Sequence, residues 1–349
     1  MSEIVKTDIR KYSLEQLKVW AQAQKEPAFR AKQIHEWLWK KRAISFEEMS
    51  NLSKSLRQKL EEHFVINAIV LDKKQKSNDG TIKCRFTLHD GHKIESVLIP
   101  VPDSNRYTVC VSSQVGCSLS CAFCATGMMK RMRNLDGFEI YDQYVLVNEM
   151  CEEEFGHSLT NVVYMGMGEP LLNYKGTLES IELLTSEKGL NISPKRITIS
   201  TAGIAKMIRK LADDDTGVNL ALSLHAADDE KRDKIMPINE TNTLSALMDS
   251  ISYFYEKTGN KISYEYIAFK DFNDSKEDAN KLAALCRRFP VRINVIEYNP
   301  IPGLTFVKSS KDTLDAFARH LKSKGIMMTV RRSRGKDIDA ACGQLANQE

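Results

Sequence analysis

Three of the eight cysteines in the 349-residue chain, Cys117, Cys121 and Cys124, lie within eight residues of one another. Cubane iron–sulfur clusters are normally held by four cysteine thiolates, one for each iron. Three closely spaced thiolates leave one iron without a protein ligand, so that it can bind the amino and carboxylate groups of S-adenosylmethionine. The spacing C-x3-C-x2-C therefore predicts a 4Fe–4S cluster that cleaves S-adenosylmethionine to a 5′-deoxyadenosyl radical.

Structural zinc is the main alternative for such a cysteine group. Zinc sites usually have four protein ligands, arranged as paired C-x2-C motifs or as C-x2-C with H-x3-H. The sequence offers no second pair and no histidine in this stretch. A disulfide framework is also disfavoured, because in a large chain without a secretory signal metal binding or catalysis is the more common use of cysteine.

Short apolar segments alternate with amphipathic ones from about residue 108 onward. The apolar segments predict strands at 109–113, 161–165, 196–200, 218–224, 262–269, 292–298 and 326–331. The segments between them predict helices near 137–153, 174–187, 203–213, 243–257, 275–288 and 312–323. This alternation is typical of an α/β fold with a parallel sheet built from right-handed crossovers. About six such units predict an incomplete (β/α)6-type barrel.

The first 107 residues have a different pattern. Residues 1–66 are predicted to be helical, and Ser45-Phe46-Glu47-Glu48 fits a capping box before a further helix. Strands are predicted at 84–88 and 94–99, with Asn-Asp-Gly and Asp-Gly turns beside them. We therefore predict a helical accessory domain over 1–66, a β-rich extension over 67–107, and a barrel with a C-terminal catalytic segment over 108–349.

Chemically distinctive residues follow the predicted strands. Active sites of parallel barrels lie where the strands end and the loops begin. The strand ends carry the cysteine loop, Gly166-Met167-Gly168-Glu169-Pro170, Ser200, Ser223-Leu224-His225 and Asn299. Glycine allows close approach of backbone to a ligand, and the Glu169 carboxylate is suited to accept from the ammonium of a bound methionine group.

Several motifs, in order along residues 110–344, resemble the RlmN/Cfr family of radical S-adenosylmethionine RNA adenine methyltransferases. They are Cys110-Val-Ser-Ser-Gln-Val-Gly-Cys117, Gly166-Met-Gly-Glu-Pro170, Ser223-Leu-His225, Met236-Pro-Ile-Asn239 and Asp339-Ala-Ala-Cys-Gly-Gln344. The resemblance implies a radical SAM barrel, the three cysteines as cluster ligands, and an N-terminal region that binds RNA. It further implies S-adenosylmethionine contacts from Gly168, Glu169, Ser200, Ser223, Leu224, His225 and Asn299.

The resemblance also gives roles to two further cysteines and a carboxylate. Cys342 corresponds to a methyl carrier, whose S-methyl group loses a hydrogen atom to the 5′-deoxyadenosyl radical and then adds to the adenine ring. Glu95 corresponds to the base that removes the ring proton, and Cys110 to the thiol that attacks the sulfur of Cys342 to release the RNA. Taken alone, each of these cysteines is more typical of a small buried apolar residue, and only the family resemblance favours the catalytic role. We expect the two Cα atoms to lie within about 7 Å, as a transient disulfide requires.

The implied substrates are 23S rRNA and tRNA, methylated at adenine C2, in tRNA beside the anticodon. C8 methylation of 23S rRNA, as in the resistance enzymes of the family, is the alternative. Two other classes remain open: a glycyl-radical activase would need the cluster but not the Cys110–Cys342 pair, and an iron–sulfur or zinc RNA-binding module would not need the cofactor residues.

The charge of the chain is compatible with RNA but does not require it. Net charge is +4, and residues 1–66 carry 13 Lys and Arg against 9 Asp and Glu. The basic clusters at 130–133 and 331–334 either contact the backbone phosphates of RNA or form solvent-exposed faces. Trp37 and Trp39 either stack on bases or pack in the core.

No apolar run reaches the roughly 20 residues that a membrane span needs, and the first residues lack the apolar stretch of a signal peptide. We therefore expect a cytoplasmic protein with no membrane partner. We further expect a monomer that receives electrons from an external donor such as flavodoxin or ferredoxin.

Overall fold

A ten-stranded sheet forms the centre of the computed structural model, which describes residues 6–187 and 189–347. Seven strands are parallel to one another: β6 (Arg106–Cys110), β9 (Asn161–Tyr164), β10 (Ile197–Thr201), β11 (Asn219–Ser223), β12 (Ile262–Ala268), β13 (Arg292–Glu297) and β14 (Met328–Arg331). All seven predicted strands are confirmed to within a few residues. Most residues of the central strands β10 to β13 are buried, polar ones included, because these parallel strands are covered on both faces.

The sheet is open. Within the described residues its two edges are β14 and β3 (Val70–Lys76), which do not pair with each other. The predicted incomplete barrel is therefore confirmed, and the carboxyl ends of the parallel strands are left accessible from one side.

Helices connect the parallel strands as the crossovers require. They are α5 (Gly137–Phe155), α6 (Tyr174–Thr185), α7 (Ala205–Asp213), α9 (Leu244–Thr258), α10 (Lys276–Leu285) and α11 (Lys311–Ser323). Two short helices were not predicted, α4 (Ala125–Met128) and α8 (Asp229–Ile235), because four and seven residues are too few for a periodic signal. No helix in the described ranges is both long and apolar enough to cross a membrane.

An antiparallel hairpin layer extends the sheet beside β6. It contains β3, β4 (Ile82–Thr87) and β5 (Lys93–Val101), and β5 pairs antiparallel with β6. The sequence predicted β4 and β5 but not β3, whose side chains are mostly exposed and lysine-rich. A small pair, β7 (Gln114–Val115) and β8 (Arg133–Asn134), lies on either side of the cysteine loop.

The N-terminal region is helical, as predicted. It contains β1 (Thr7–Asp8), α1 (Leu14–Ala23), α2 (Phe29–Trp39), α3 (Lys54–His63) and β2 (Phe64–Val65), with β1 parallel to β2. The predicted capping box at Ser45 is wrong. The Ser45 hydroxyl donates to the Glu48 carboxylate rather than capping a backbone amide, and α3 begins later, where Ser53 Oγ accepts from Leu56 N at 3.2 Å.

The N-terminal region is attached to the barrel through α5. Arg10 Nη1 lies 2.8 Å from Asp142 Oδ2, and both side chains are largely buried. Trp39 packs edge-on against Tyr141, whose hydroxyl donates to the Trp39 carbonyl at 2.7 Å. Trp39 is therefore a core residue, whereas Trp37 is only partly buried and donates to Asn51.

Candidate active site

One cavity lies at the carboxyl ends of β9 to β12, beside the loop that follows β6; we call it the cluster cavity. Its lining includes Cys117, Cys121, Cys124, Gly168, Glu169, Ser200, Ser223, His225, Glu265 and Cys342. Residues from five strand ends and from the C-terminal segment thus converge, as expected for a barrel active site.

The cysteine loop is held in place by backbone and aromatic contacts. Ala122 N donates to the Ile235 carbonyl at 2.9 Å. The Phe123 ring packs 4.7 Å from the His225 ring and 5.6 Å from the Phe269 ring, between centroids. This packing fixes the residue that precedes Cys124, and with it the direction in which the loop enters the cavity.

The chemistry of the three thiols fits a cubane cluster. In the part of the chain that the structure describes, no three Cys, His, Asp or Glu side chains converge as ligands of a single metal ion do. Separate irons of a cubane, in contrast, each need their own thiolate. Burial raises the pKa of Cys117 to about 11 and raises that of Cys121 further. Thiols that resist ionisation in this way become thiolates when a metal binds them.

The glycines after β9 allow two protein segments to approach each other. Gly168 has φ +93°, and a Cβ atom there would lie 2.4 Å from Gln114 Cβ. Gln114 Oε1 in turn accepts from Glu169 N at 2.8 Å. From the sequence, we expected these glycines to allow close approach of the backbone to the ligand. In the structure, the closest neighbour of Gly168 is the Gln114 side chain, and Gly168 also lines the cavity.

Glu169 is buried and joins two loops. Its Oε2 accepts from Ala202 N at 2.8 Å and its Oε1 from Leu171 N at 3.1 Å. Burial raises the pKa of Glu169 to about 7, against the effect of these hydrogen bonds. A cationic partner stabilises the charged form of a buried carboxylate. Glu169 is therefore suited to bind the ammonium group of S-adenosylmethionine.

Glu265, on β12, was missed by sequence reasoning. Its Oε1 accepts from Ser263 Oγ at 2.8 Å and from Asn294 Nδ2 at 2.7 Å. Its Oε2 has no hydrogen-bond partner among the described residues and lies 3.6 Å from Arg331 Nη1. Because a buried acceptor without a partner costs free energy, this oxygen fits an ammonium or hydroxyl donor of a bound nucleoside.

The two serines of the cavity lie close together, with Ser200 Oγ 3.4 Å from Ser223 Oγ. The strand ends that carry them are joined by Arg232, a fully buried residue that the sequence also failed to indicate. Arg232 donates to the carbonyls of Ala202, Ser223 and Leu224. Arg232 therefore positions the cofactor-binding loops. In the sequence, the only feature that could have indicated this role is that Arg232 lies close to the Met236-Pro-Ile-Asn239 motif.

His225 is neutral in the folded protein. Its Nδ1 accepts from Ile267 N at 3.1 Å, which requires an unprotonated Nδ1 and leaves the proton on Nε2. Burial and the Arg232 charge lower the pKa of His225 to about 3. His225 can therefore offer a neutral N–H donor.

Four predicted site residues do not line the cluster cavity: Cys110, which lies in a second cavity, and Leu224, Asn299 and Glu95. The Leu224 side chain is fully buried in the core. Asn299 donates to Ser333 Oγ at 3.0 Å. Glu95 is buried on β5, with Oε1 at 3.6 Å from Lys83 Nζ.

Cys110 and Cys342 line a second cavity, which we call the cysteine cavity. Cys110 is buried at the end of β6, and burial together with the nearby Cys342 raises its pKa. Cys342 lines both cavities. Cys342 is thus shared by the cavity of the cluster loop and the cavity of the second thiol, while a Cα separation within about 7 Å stays a prediction.

The C-terminal segment, residues 335–347, is attached to the cysteine loop and to β5. Ala125 N donates to the Gly343 carbonyl at 2.7 Å, and Thr126 Oγ1 donates to the Leu345 carbonyl at 2.6 Å. Glu95 Oε2 accepts from Ala346 N at 3.0 Å and from the next amide at 3.2 Å. These bonds hold Cys342 over the strand ends.

The turn between β3 and β4 fastens the start of the same segment. Asp337 accepts from the Ser77 hydroxyl and from Asn78 N. Asp79 Oδ2 accepts from Gly335 N at 2.9 Å. The β extension therefore helps to position the residues that carry Cys342.

Comparison with known proteins agrees with this geometry. A model of the ribosomal RNA large subunit methyltransferase N-terminal domain matches residues 7–66, and a model of the radical SAM superfamily matches residues 111–283. A crystal structure of a radical SAM methyltransferase from Sphaerobacter thermophilus superposes with a TM-score of 0.90 at 38% identity, covering 97% of this chain and 99% of that one.

Curated relatives are similar over their full length. A probable dual-specificity RNA methyltransferase RlmN from Cytophaga hutchinsonii is 56% identical over 348 residues, covering 100% of this chain and 95% of the relative. The protein of the same description from Flavobacterium johnsoniae is 52% identical over 347 residues, covering 99% of both chains. The chain therefore belongs to the RlmN family of radical SAM methyltransferases.

Proposed function

We propose that the protein is a radical SAM RNA methyltransferase that forms 2-methyladenosine in 23S rRNA and in tRNA, at the adenosine 3′ of the anticodon. The observation that carries the proposal is the position of Cys342, which lines both the cluster cavity and the cysteine cavity. The names of the relatives and the rRNA methyltransferase domain model support an RNA substrate with two targets.

The cluster cavity provides the groups for both cofactors. Cys117, Cys121 and Cys124 hold the 4Fe–4S cluster, and Gly168, Glu169, Ser200, Ser223 and His225 surround S-adenosylmethionine. To these we add Glu265, because it lines the same cavity and its Oε2 has no hydrogen-bond partner among the described residues. In this proposal, Leu224 and Asn299 stabilise the loops that line the cluster cavity and do not contact the cofactor directly.

Cys342 carries the methyl group. Its thiol loses a proton to solvent and takes a methyl group from a first S-adenosylmethionine by displacement, so that a carbon–sulfur bond forms at Cys342 as the methyl–sulfonium bond breaks and S-adenosylhomocysteine leaves. When bound, the cluster and a second S-adenosylmethionine supply the radical that removes one hydrogen atom from this methyl group. The resulting carbon bonds to adenine C2 and links Cys342 to the RNA.

Cys110 and Glu95 complete the transfer. Glu95 removes the proton from the ring carbon, and the Cys110 thiolate attacks the sulfur of Cys342. The sulfur–carbon bond to the RNA breaks as the disulfide forms, and the released carbon takes up a proton to become the methyl group. The odd electron of the adduct would return to the 4Fe–4S cluster when that is bound, and an external thiol reductant returns both cysteines to thiols. For Glu95 to reach the base, the amides of Ala346 and Asn347 must first leave its carboxylate, so residues 346–347 must move during the reaction.

Residues 1–66 form the RNA-binding accessory domain in this proposal, residues 67–107 the extension that positions the C-terminal segment, and residues 108–349 the catalytic barrel. We place the reaction in the cytoplasm, because free thiols persist in a reducing compartment. The protein acts as a monomer, and a flavodoxin or ferredoxin supplies the electron for the cluster.

The experiment is expression of the chain in bacteria that lack 2-methyladenosine, followed by mass spectrometry of nucleosides from purified 23S rRNA and tRNA. We expect 2-methyladenosine in both fractions, and none with a Cys342→Ala variant. Formation of 8-methyladenosine in 23S rRNA instead would contradict the proposal in favour of the C8 reaction. Unimpaired methylation by Cys342→Ala would contradict the carrier role.

A further inference from the structure

Four arginines line the cysteine cavity: Arg106, Arg331, Arg332 and Arg334. The lining contains no Asp or Glu side chain; its remaining residues are the two cysteines and small, apolar or hydroxyl residues. The cavity volume of about 220 Å³ is several times the roughly 30 Å³ that one water occupies in the liquid. A group larger than solvent, with negative charge, therefore fits this cavity.

Arg332 and Arg334 each have a structural partner. Arg332 forms an ion pair with the buried Glu297. Arg334 donates to the Asp79 carbonyl at 3.4 Å, in the turn that fastens the C-terminal segment. These contacts account for both side chains without a ligand, so the basic cluster at 331–334 is not a uniform phosphate-binding surface.

Arg106 and Arg331 are different. Within the described residues Arg106 has no carboxylate at ion-pair distance, and its Nε donates only to Thr108 Oγ1, at 3.2 Å. Arg331 has one long ion pair, in which its Nη1 lies 3.6 Å from Glu265 Oε2. Burial and the Arg331 charge both lower the pKa of Arg106. An anion that lies between two guanidinium groups relieves their mutual repulsion and so stabilises the charged form of both.

The position of the pair relative to the cysteines indicates which anion. Arg106 and Cys110 are the two ends of β6, four residues apart, which is about 13 Å along a strand. If the target base lies at Cys110 and Cys342, this distance leaves room for a sugar between the base and the arginines. A guanidinium binds a phosphate through two parallel hydrogen bonds.

We propose that Arg106 and Arg331 bind a backbone phosphate directly flanking the target adenosine. This inference rests on the proposed function and extends it, because it identifies the residues that hold the extruded nucleotide at the cysteine pair. Extrusion removes the base from its stack, and a phosphate contact beside it holds the nucleotide in the extruded position.

The test uses the cluster-loaded enzyme and a synthetic RNA stem–loop with one target adenosine. Arg106→Gln is compared with Arg292→Gln, an exposed arginine at the amino end of β13, outside both cavities, which removes the same charge. We expect Arg106→Gln to weaken RNA binding about tenfold. We also expect it to reduce the slope of log affinity against log salt by about 0.7 to 1, while Arg292→Gln does neither.

A second arm locates the contact. Phosphates on either side of the target adenosine are replaced, one at a time, by uncharged methylphosphonate. One replacement should weaken binding to the unsubstituted enzyme about tenfold and have a clearly smaller effect on Arg106→Gln, because part of the same contact is already lost and only Arg331 remains. Equal losses in both enzymes, or an unchanged salt slope for Arg106→Gln, would overturn the inference.

The two proposals fail in different ways. An unsubstituted enzyme that forms no methyladenosine in the stem–loop contradicts the proposed function. An enzyme that forms methyladenosine, but whose Arg106→Gln variant binds the stem–loop like Arg292→Gln, contradicts only the phosphate contact.

Discussion

At the scale of single residues, the site depends on two cysteines that lie in one cavity and have different tasks. Cys342 lines both cavities, whereas Cys110 lines only the cysteine cavity and is buried. In the proposed reaction, Cys342 becomes attached to the RNA and Cys110 releases it. Removing Cys110 should therefore stop the reaction after the bond to RNA has formed.

The Cys110→Ala variant should accumulate a covalent adduct between protein and RNA, seen as a slow band in denaturing gels, with at least a hundredfold loss of product. Cys286→Ala, a cysteine outside both cavities, serves as the control and should turn over normally. A Cys110→Ala enzyme that releases methylated RNA would show that another group cleaves the bond.

His225 makes stability dependent on pH. The unfolded chain protonates this side chain near its ordinary pKa of 6.5, whereas the folded protein resists protonation down to about 3. Stability is therefore lost as pH falls from about 6.5 towards 3, by up to about 1.4 kcal/mol for each pH unit.

His225→Asn is the matching variant. Asn tolerates the left-handed backbone at this position, where φ is +55°, and offers an oxygen to Ile267 N in place of Nδ1. Urea unfolding between pH 7 and pH 5 should show a smaller loss of stability for His225→Asn than for the unsubstituted chain. Parallel curves would show that His225 does not titrate on unfolding in this range.

At the scale of elements, the strands and helices of the barrel were predictable and several functional residues were not. Runs such as 218–224 alternate large apolar residues with small or polar ones, which predicts a strand without information from neighbouring segments. Glu265 and Arg232 carry no such local signal, because a single charged residue in a strand or a short helix becomes important only through contacts that the fold creates. The strand β3 was missed for a related reason, since its exposed lysines resemble a loop.

The known motifs predicted most residues of the site, but they did not show which of these residues line the cavity. The three cluster cysteines, Glu169 and His225 meet in one cavity, as expected from strand ends at one edge of a sheet. Asn299 and Glu95, to which the family resemblance gave roles, are held by protein groups. Sequence spacing cannot show whether a polar side chain at a strand end bonds a ligand or a neighbouring segment.

The turn between β3 and β4 should limit the mobility of the segment that carries Cys342. Asp337→Ala removes the acceptor of Ser77 Oγ and Asn78 N, bonds worth about 1 kcal/mol each. We expect faster hydrogen exchange in residues 335–347, measured by mass spectrometry, and several-fold slower formation of methyladenosine. Asp312→Ala, an exposed aspartate in the first turn of α11, is the control. Unchanged exchange in Asp337→Ala would show that the turn does not hold the segment.

At the scale of the whole molecule, residues 6–66 are joined to the barrel by a buried ion pair. Arg10 bonds both Asp142 and Asp8, and the Arg10 and Asp8 side chains are at most 5% exposed. Loss of one partner leaves a buried charge uncompensated, which typically costs about 3 to 5 kcal/mol. Arg10→Ala should therefore lower the free energy of unfolding by that amount and expose 6–66 to proteolysis.

The neighbouring residue supplies a control for this prediction. Lys11 pairs with Asp136 at 2.9 Å, but both side chains are well exposed, so Lys11→Ala should cost less than about 1 kcal/mol. The double variant Arg10→Ala/Asp142→Ala should recover part of the loss, because it no longer leaves Asp142 unpaired. Equal effects of Arg10→Ala and Lys11→Ala would contradict a structural role for the buried pair.

The central claim is that Cys342 is a methyl carrier and not a fourth ligand of the cluster, although it lines the same cavity as the other three cysteines. Peptide mass spectrometry of the cluster-loaded enzyme, before and after addition of RNA, tests this most directly. We predict one methyl group on Cys342 after incubation with S-adenosylmethionine, lost when RNA is added and recovered in 2-methyladenosine. An enzyme that methylates RNA while Cys342 is never methylated would contradict the account.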